Sequence, residues 1–248
     1  MGRDSSSEAL VLALRQTGDD HRLATLFGLD RGVYQAMLFG GGKSRLRALV
    51  SPWHTGTVWL YGDAKKDLAK ISDFDVHKFR PGIRVSLYKT WAATLACELV
   101  IKTSASGEYG PCWALCDAFF DGLDQAGDEE CGTALIRFLW RYLNLMGLCP
   151  STVACAACGA LFSSPVVYLP KENGFICASC ANEWNADLTI NPEGLAYLSA
   201  LSELRAGEVR RMRLTEQTRE ELKRLLFFLI SQAAGGRLNT MEAGLGIL

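Results

Sequence analysis

Histidine is scarce in this sequence. Only three are present, His21, His54 and His77, and all lie in the first third of the 248 residues. So few histidines leave few candidates for a general base, and no nucleophile motif of the form G-x-S-x-G occurs. None of the three has Glu two residues later, as a zinc deaminase requires. Catalytic arrangements are therefore hard to build from this sequence, and we expect no catalytic residues.

Long apolar runs are also absent. The uncharged run near the C-terminus, residues 225–230, has six residues, whereas a membrane span needs about 20. The first eight residues have no apolar core that a secretory signal could use. Nine cysteines in such a chain then indicate a reducing compartment, in which thiols pack, react or bind metal. Disorder is excluded as the main state, because 49% of the residues are hydrophobic.

Neither sign of charge is in excess. The 26 Lys and Arg against 27 Asp and Glu give a net charge of −1, which by itself argues against a nucleic-acid partner. Residues 1–89, however, contain 14 basic and 9 acidic residues, whereas residues 90–248 contain 12 and 18. Between Thr103 and Ile136 there are seven acidic residues and no basic one. The near-zero total therefore conceals a basic N-terminal part and an acidic C-terminal part.

Short strands are predicted throughout residues 8–89. Apolar and β-branched runs are separated by turn signals at intervals of about ten residues, which is typical of a small barrel or sandwich. The predicted strands are residues 8–14, 22–27, 32–39, 46–50, 57–61 and 74–76. This part of the chain is therefore predicted to be all-β.

Helical spacing of apolar residues replaces the strand pattern after Pro81-Gly82. One predicted helix face consists of residues three and four apart: Cys116, Phe119, Phe120 and Leu123. A second consists of Leu135, Phe138, Leu139, Tyr142 and Met146, and its helix should end at Gly147 and Pro150. Residues 90–101 are predicted to form a buried helix, and residues 218–221 have the pattern of a capping box.

The predicted fold class is α+β, with two domains. Residues 1–89 form the β domain, and residues 90–248 form a helical domain with an insertion at about 153–183. This insertion contains two C-x-x-C pairs, Cys155 with Cys158 and Cys177 with Cys180, separated by 18 residues.

The four cysteines of the insertion have the spacing of a zinc site. Two residues between thiolates let one tight turn direct both sulfurs at one ion, and the second pair completes a tetrahedron. Four thiolates leave no position for a water molecule, so we expect one structural Zn²⁺ per chain. Two alternatives stay open: four buried or redox cysteines, or a ligand set that lacks one position. The other five cysteines are predicted to pack in apolar surroundings.

A basic, glycine-rich loop at residues 39–47 is a second candidate site. It contains Lys43, Arg45 and Arg47. The flanking aromatic residues are Tyr34, Trp53, Trp59 and Tyr61. Single-strand binders combine cations that contact phosphates with aromatic faces on which bases stack. The alternative is a solvated hairpin over an aromatic core. The loop is not a Walker A motif, because Met37 stands where that motif requires its first glycine.

A third charged segment, residues 205–224, has seven basic and four acidic residues. We interpret it as a solvated helix face and loop with local ion pairs.

The order of these parts resembles the RecO family of bacterial recombination mediators. Members of that family have an N-terminal OB-fold, a helical domain and, in many cases, an inserted four-cysteine zinc lobe. The resemblance covers about residues 8–240, and short motifs carry it in collinear order. They are Ala9-Leu10-Val11-Leu12, Asp19-Asp20-His21-Arg22, Leu23-Ala24-Thr25-Leu26-Phe27, Lys43-Ser44-Arg45-Leu46, Leu49-Val50-Ser51-Pro52-Trp53, and Leu143 to Gly147 with Pro150 and Cys155-Ala156-Ala157-Cys158-Gly159. Two departures, Gly40-Gly41-Gly42 and Leu238-Asn239-Thr240, replace segments that are more basic in typical members.

The resemblance implies a non-enzymatic DNA repair protein of the RecF recombination pathway. Such a protein binds single- and double-stranded DNA, promotes strand annealing, and loads recombinase with RecR, and possibly RecF, on gaps covered by single-strand binding protein. It would work in the bacterial cytoplasm, at the nucleoid, without a membrane partner. The residues expected to contact phosphates are Arg22, Arg31, Lys43, Arg45 and Arg47. The alternative function is an acidic protein-interaction adaptor with a structural zinc and little DNA binding of its own.

Overall fold

The protein is described by a computed structural model that covers residues 3–18, 20–40, 45–62, 69–105, 108–163, 165–181 and 188–244. The chain forms two compact units: Met1–Cys131 together with Leu238–Leu248, and Gly132–Arg237. We refer to them as the barrel unit and the helical unit. The domain boundary predicted at residue 89 stays a prediction.

Five strands form a closed barrel in the order β1-β2-β3-β5-β4. They are β1 (Arg3–Thr17), β2 (His21–Gly28), β3 (Gly32–Leu38), β4 (Thr55–Gly62) and β5 (Ala69–Lys78). The long β1 pairs with β4 through its first half and with β2 through its second half, both antiparallel. A short parallel pairing of β3 with β5, Ala36 opposite Ala69, closes the barrel. The predicted OB-type barrel is confirmed.

The barrel core follows from the two-residue period of its strands. Alternate apolar side chains point inward: Ala9 and Val11, Ala24 and Leu26, Ala36 and Leu38, Val58 and Leu60. On β5 the inward residues are Ile71 and Phe74, which lie three apart. An irregularity in the β4–β5 register at this point accounts for the extra residue, because Leu60 faces Ile71 while Trp59 faces Asp73.

The strand predicted at residues 46–50 is wrong, because Leu46–Leu49 form a single helical turn, α1. The N–H of Val50 donates to the carbonyl of Leu46 at 2.8 Å. Leu46 and Leu49, three positions apart, both pack against the barrel core. In so short a segment an apolar pair at this spacing cannot be told from a buried strand by pattern alone.

Seven further α-helices follow in the part of the chain that the structure describes. They are α2 (Leu87–Thr103), α3 (Tyr109–Gln125), α4 (Asp128–Leu145), α5 (Pro192–Glu203), α6 (Ala206–Val209), α7 (Glu216–Ala233) and α8 (Asn239–Ala243). The predicted inward faces of α3 and α4 are buried, apart from Met146, which lies just beyond α4. Gly147 then takes a left-handed conformation, with φ of 70°, and ends the helix as predicted. None of the described helices is both long enough and apolar enough for a membrane crossing.

The short helix α8 completes the barrel unit from the far end of the chain. The carboxylate of Glu98 on α2 accepts the N–H groups of Asn239 and Thr240, each at 2.8 Å. The indole of Trp91 donates to the carbonyl of Thr240 at 2.7 Å. The side chain of Glu98 therefore satisfies free N–H groups at the start of α8, as an N-cap would.

The capping box predicted at residues 218–221 is wrong in register. Helix α7 begins three residues earlier, with Thr215 as its N-cap, and the Thr215 hydroxyl accepts the N–H of Thr218 at 3.3 Å. Thr218 is fully buried instead of capping. The carboxylate of Glu221 accepts the N–H of Asn191, the N-cap of α5, at 2.9 Å. The polar side chains that the sequence pattern assigned to a local cap therefore form tertiary hydrogen bonds to α5 instead.

Candidate metal centre and nucleic-acid interface

The four predicted zinc ligands come together in the helical unit. The Sγ atoms of Cys155, Cys158, Cys177 and Cys180 all lie within 4.8 Å of one another. The Sγ atoms of Cys158 and Cys177 are 3.8 Å apart. A tetrahedral ion with Zn–S bonds of about 2.3 Å has sulfur–sulfur edges of about 3.8 Å. The donor set and its spacing therefore fit a four-coordinate Zn²⁺.

Two tight turns present these sulfurs. In the first, the N–H of Gly159 donates to the carbonyl of Cys155 at 2.9 Å, and Gly159 has a φ of 74°, which favours glycine. In the second, the N–H of Cys180 donates to the carbonyl of Cys177 at 3.0 Å. The N–H of Cys177 also donates to the Sγ of Cys155 at 3.3 Å, which joins the two turns at the sulfurs.

Within the cluster, hydrogen bonds to its sulfur lower the pKa of Cys155, whereas hydrogen bonding with the Cys158 and Cys177 sulfurs raises the pKa of Cys180 to about 12. Burial raises the pKa of the Cys155 thiol, but N–H groups of Cys177, Cys158 and Ala157 donate to its sulfur, and the net effect lowers that pKa to about 6. Burial raises the pKa of Cys97 and of Cys149 to about 12. Outside the cluster these two cysteines are thiols held in apolar surroundings, as predicted.

The lobe around the cysteines has little core of its own. Its sheet has the order β7-β6-β8, with β6 (Val166–Leu169), β7 (Gly174–Cys177) and β8 (Thr189–Ile190). The buried residues of its cluster are Cys155, Val167 and Ile176. A segment with so small a core needs a disulfide or a metal to be stable. On its other side the lobe contacts α7, where the rings of Tyr168 and Phe228 meet edge to face at 5.8 Å.

The predicted phosphate contacts lie at two ends of the barrel. Arg22 is paired with Leu38 across β2 and β3, at the end from which the basic loop leaves. Arg45, exposed, and Arg47, half-buried, lie at the other end of that loop, and Lys43 is outside the described residues. Arg31 lies beyond Gly28 at the opposite end of β2, about 20 Å from Arg22 along the strand. The structure therefore separates Arg31 from Arg22.

Arg31 also has an internal partner. Its guanidinium lies over the ring of Tyr34, 4.0 Å from the ring centre. Tyr34 is half-buried and packs against the barrel core, and Trp53 is buried. Of the four predicted stacking residues, only Trp59 and Tyr61, which are 36% and 46% exposed, present their rings to solvent.

Strand pairing builds a continuous surface at the barrel end where β3 stops. Tyr61 on β4 is opposite Lys70 on β5, and Lys70 is opposite Met37 on β3. The Nζ of Lys70 lies 5.6 Å from the ring centre of Phe39, which is 41% exposed. The Phe39 ring in turn meets His21 edge to face at 4.8 Å. We call the residues of this surface the barrel-end strip: Tyr61, Lys70, Phe39 and His21.

Sequence reasoning included Phe39 in the loop of residues 39–47 but not among the aromatic residues on which bases would stack, and it missed Lys70. Phe39 is the last aromatic residue before the glycines, and that position is the signal that could have identified it. Lys70 carries no local signal, because only the β4–β5–β3 register places it between two aromatic rings.

The acidic side chains of α3 form ion pairs and hydrogen bonds inside the barrel unit. The Arg80 side chain, 2% exposed, pairs with Asp117 at 2.5 Å and with Asp121 at 2.7 Å. Lys78 pairs with the same two carboxylates at 2.6 and 2.7 Å. Asp124 accepts the N–H of Gly82 at 2.6 Å. With Asp128, which accepts the Ser86 hydroxyl, four of the seven acidic residues have such partners.

Comparison with known proteins agrees with this architecture. Family models described as Recombination protein O N terminal and Recombination protein O C terminal match residues 1–80 and 84–242. The DNA repair protein RecO of Syntrophotalea carbinolica is 31% identical over 201 residues, which cover 79% of this chain and 74% of that protein. RecO of Desulforamulus reducens is 24% identical over 238 residues, covering 95% and 91%. RecO of Bacillus subtilis is 24% identical over 232 residues, covering 92% and 89%.

These matches extend through both the barrel and the helical part, and they confirm the family predicted from the order of sequence motifs. The chain belongs to the RecO family of DNA repair proteins.

Proposed function

We propose that this protein is a non-enzymatic recombination mediator that binds single- and double-stranded DNA through its barrel. It promotes annealing of complementary strands, and it acts with RecR, and possibly RecF, to load recombinase on gaps covered by single-strand binding protein in the bacterial cytoplasm. The barrel-end strip carries this proposal, because a lysine lies there between two exposed aromatic rings, those of Tyr61 and Phe39, on an OB-type barrel. Family membership supports it.

Annealing requires two opposed properties that this surface combines. Cations must screen the repulsion between two phosphate backbones, while the base-pairing edges remain free. Lys70 on the strip and Arg22 at the same end of β2, with Lys43, Arg45 and Arg47 on the loop, supply the positive charge. Bases stack on an aromatic ring through their faces, which leaves their hydrogen-bonding edges open. Phe39 and Tyr61 would hold a strand in that manner.

The four-cysteine cluster would hold one structural Zn²⁺. Cys155, Cys158, Cys177 and Cys180 supply all four ligands, so the ion has no open position for substrate and serves to fix the lobe.

Two sets of substitutions test the barrel surface. Changing Lys43, Arg45 and Arg47 together to Ala is expected to weaken oligonucleotide binding and to make the slope of log K against log[salt] shallower by about two, since fewer counterions are released. Changing Phe39 and Tyr61 to Ala should weaken binding by about tenfold per stacked base and leave that slope unchanged. Fluorescence anisotropy of a labelled single strand over a salt series measures both.

The matched control removes equal charge from locally paired cations. Lys102, Arg219 and Lys223 each pair with a glutamate three or four residues away, so changing them to Ala should leave binding unaltered. A salt-independent affinity in the unmodified protein would refute phosphate binding. An unaltered affinity in the loop variant would show that the loop is only a hairpin.

The adaptor alternative loses most of its support. It required the acidic run of residues 108–130 as a free surface, whereas Asp117, Asp121, Asp124 and Asp128 are hydrogen-bonded within the barrel unit. Tight partner binding with no detectable oligonucleotide binding would restore it.

A further inference from the structure

The four clustered cysteines differ in their access to solvent. Cys158 is exposed, Cys177 and Cys180 are half-buried, and Cys155 is only 3% exposed. Cys158 also lies within a stretch, residues 156–160, in which every residue is exposed. Oxidation of a thiolate depends on its exposure. A small oxidant dissolved in water therefore reaches the Sγ of Cys158 more readily than that of any other cysteine in the cluster.

Cys155 is protected by hydrogen bonds as well as by burial. The N–H of Cys177 donates to its Sγ at 3.3 Å, and N–H groups of Cys158 and Ala157 donate to the same sulfur. Such donors stabilise the negative charge of a thiolate and make it a weaker nucleophile. Cys155 is therefore a poor target for an oxidant compared with Cys158.

A second sulfur lies close to that of Cys158. The Sγ atoms of Cys158 and Cys177 are 3.8 Å apart, close to van der Waals contact. A disulfide has a sulfur–sulfur distance of about 2.05 Å, so the two atoms need to approach by about 2 Å. Cys177 is the last residue of β7 and is paired with Val166 on β6. Cys158 lies on the exposed turn, so its side chain is the one that can move.

We propose that the four-cysteine cluster is a redox switch, in which hydrogen peroxide oxidises Cys158 and Cys177 to a disulfide and the lobe loses its metal. The proposal rests on the structural zinc of the proposed function and adds regulation to it. Cysteines that bind a metal are thiolates, which are the form that reacts with a peroxide.

The oxidation takes place in two steps. The thiolate of Cys158 first attacks one peroxide oxygen, so that an S–O bond forms, the O–O bond breaks, and the hydroxide that leaves takes up a proton to become water. The thiolate of Cys177 then attacks the sulfur of this sulfenic acid, so that the S–S bond forms, the S–O bond breaks, and a second hydroxide becomes water. Two electrons pass from the two thiolates to the peroxide, and two protons come from solvent.

The disulfide leaves too few ligands for the metal. Only Cys155 and Cys180 remain as thiolates, whereas a structural zinc site has four ligands. The lobe then depends on a core whose buried apolar side chains outside the cysteines are Val167 and Ile176, which is too small to keep it folded. Oxidation is therefore expected to unfold the lobe, and reduction of the disulfide by a thiol allows zinc to bind again.

Unfolding of the lobe also changes the helices beside it. The ring of Tyr168 on β6 meets that of Phe228 on α7 at 5.8 Å, and β8 runs directly into Asn191, the N-cap of α5. Loss of the lobe therefore uncovers an apolar part of α7 and releases the start of α5. The state of two sulfur atoms in this manner determines the structure of one side of the helical unit.

The test compares three zinc-loaded, full-length proteins: the unmodified chain, Cys158→His and Cys180→His. Histidine can replace one cysteine in a zinc site but cannot form a disulfide. Hydrogen peroxide should release the single zinc ion from the unmodified protein and from Cys180→His, which keeps both Cys158 and Cys177. Cys158→His should retain its zinc under the same treatment. A chromogenic chelator measures the released zinc, peptide mapping identifies the disulfide, and hydrogen exchange follows the amides of β6 and β7.

The zinc content before treatment separates this inference from the proposed function. Protein purified without zinc would overturn the structural zinc and the switch together, whereas zinc retained by the unmodified protein in peroxide would overturn the switch alone. Equal zinc loss from the two histidine variants, or a disulfide between any other pair, would overturn the assignment of Cys158 and Cys177. If a histidine variant does not bind zinc, the disulfide found in the oxidised unmodified protein decides the question.

Discussion

Removal of the metal is expected to unfold the four-cysteine lobe. Structural zinc stabilises isolated finger-like segments by about 10–16 kcal/mol, and the buried cluster of this lobe consists of Cys155, Val167 and Ile176. Changing Cys158 and Cys180 to Ser should therefore abolish zinc binding and expose the amides of β6 and β7 to hydrogen exchange. The unmodified protein should contain one zinc per chain by metal analysis.

A substitution outside the cluster provides the control. Cys149 is a half-buried thiol whose Sγ donates to the carbonyl of Trp140 at 3.3 Å, so Cys149→Ser should retain both zinc and amide protection. Zinc content well below one per chain, in protein never exposed to a chelator, would contradict the metal assignment. Protected β6 and β7 amides in the zinc-free variant would contradict its structural role.

Arg80 should be the most sensitive single position of the barrel unit. Its guanidinium donates to Asp117 and Asp121, to the carbonyl of Trp53 at 2.6 Å and to the hydroxyl of Thr55 at 2.8 Å. Arg80→Met leaves the single cation Lys78 to pair with both Asp117, which is nearly buried, and Asp121. Breaking such a pair from one side lowers the free energy of unfolding by about 3–5 kcal/mol. Urea denaturation measures the loss.

A second arginine and a double variant serve as controls for this loss of stability. Arg84 donates to Ser51 and Pro52 at the surface, so Arg84→Met should lower stability by about 1 kcal/mol or less. The double change of Arg80 to Met and Asp117 to Leu should be less destabilising than the two single changes added together, because no unpaired charge remains. Strict additivity would show that the two side chains do not interact.

The same network predicts how stability depends on pH. Burial raises the pKa of Asp117, but hydrogen bonds from Lys78, Thr55 and Arg80 outweigh it and hold that pKa below its usual range. The unfolded state, where Asp titrates near pH 3.9, then binds more protons, so this contribution is present above about pH 4 and is lost as the pH falls through the folded value. The stability difference between the unmodified protein and Asp117→Asn should shrink over that acid range. An unchanging difference between pH 2 and 7 would refute the shift.

Features that depend on local spacing could be predicted from the sequence. The two C-x-x-C pairs indicate a metal site without any knowledge of the fold, because each tight turn is encoded by adjacent residues. The alternation of Ala9 and Val11, or of Val58 and Leu60, similarly gives the barrel strands, and the spacing of Cys116, Phe119 and Phe120 gives α3.

Features that depend on long-range pairing could not be predicted. Arg80 and Asp117 are 37 residues apart, and the acidic run on α3 has the same sequence pattern whether it faces solvent or a buried arginine. The barrel-end strip exists because three strands bring Tyr61, Lys70 and Phe39 side by side.

The return of residues 238–244 to the barrel unit bears on the order of folding during synthesis. A ribosome releases the chain from its N-terminus, so the barrel strands emerge first. The contacts of α8 with Trp91 and Glu98 form only after all of Gly132–Arg237 has been made. The unit that starts first is thus finished last, and a nascent chain that ends within α7 would contain an α2 helix that still lacks the contacts of Trp91 and Glu98 with α8.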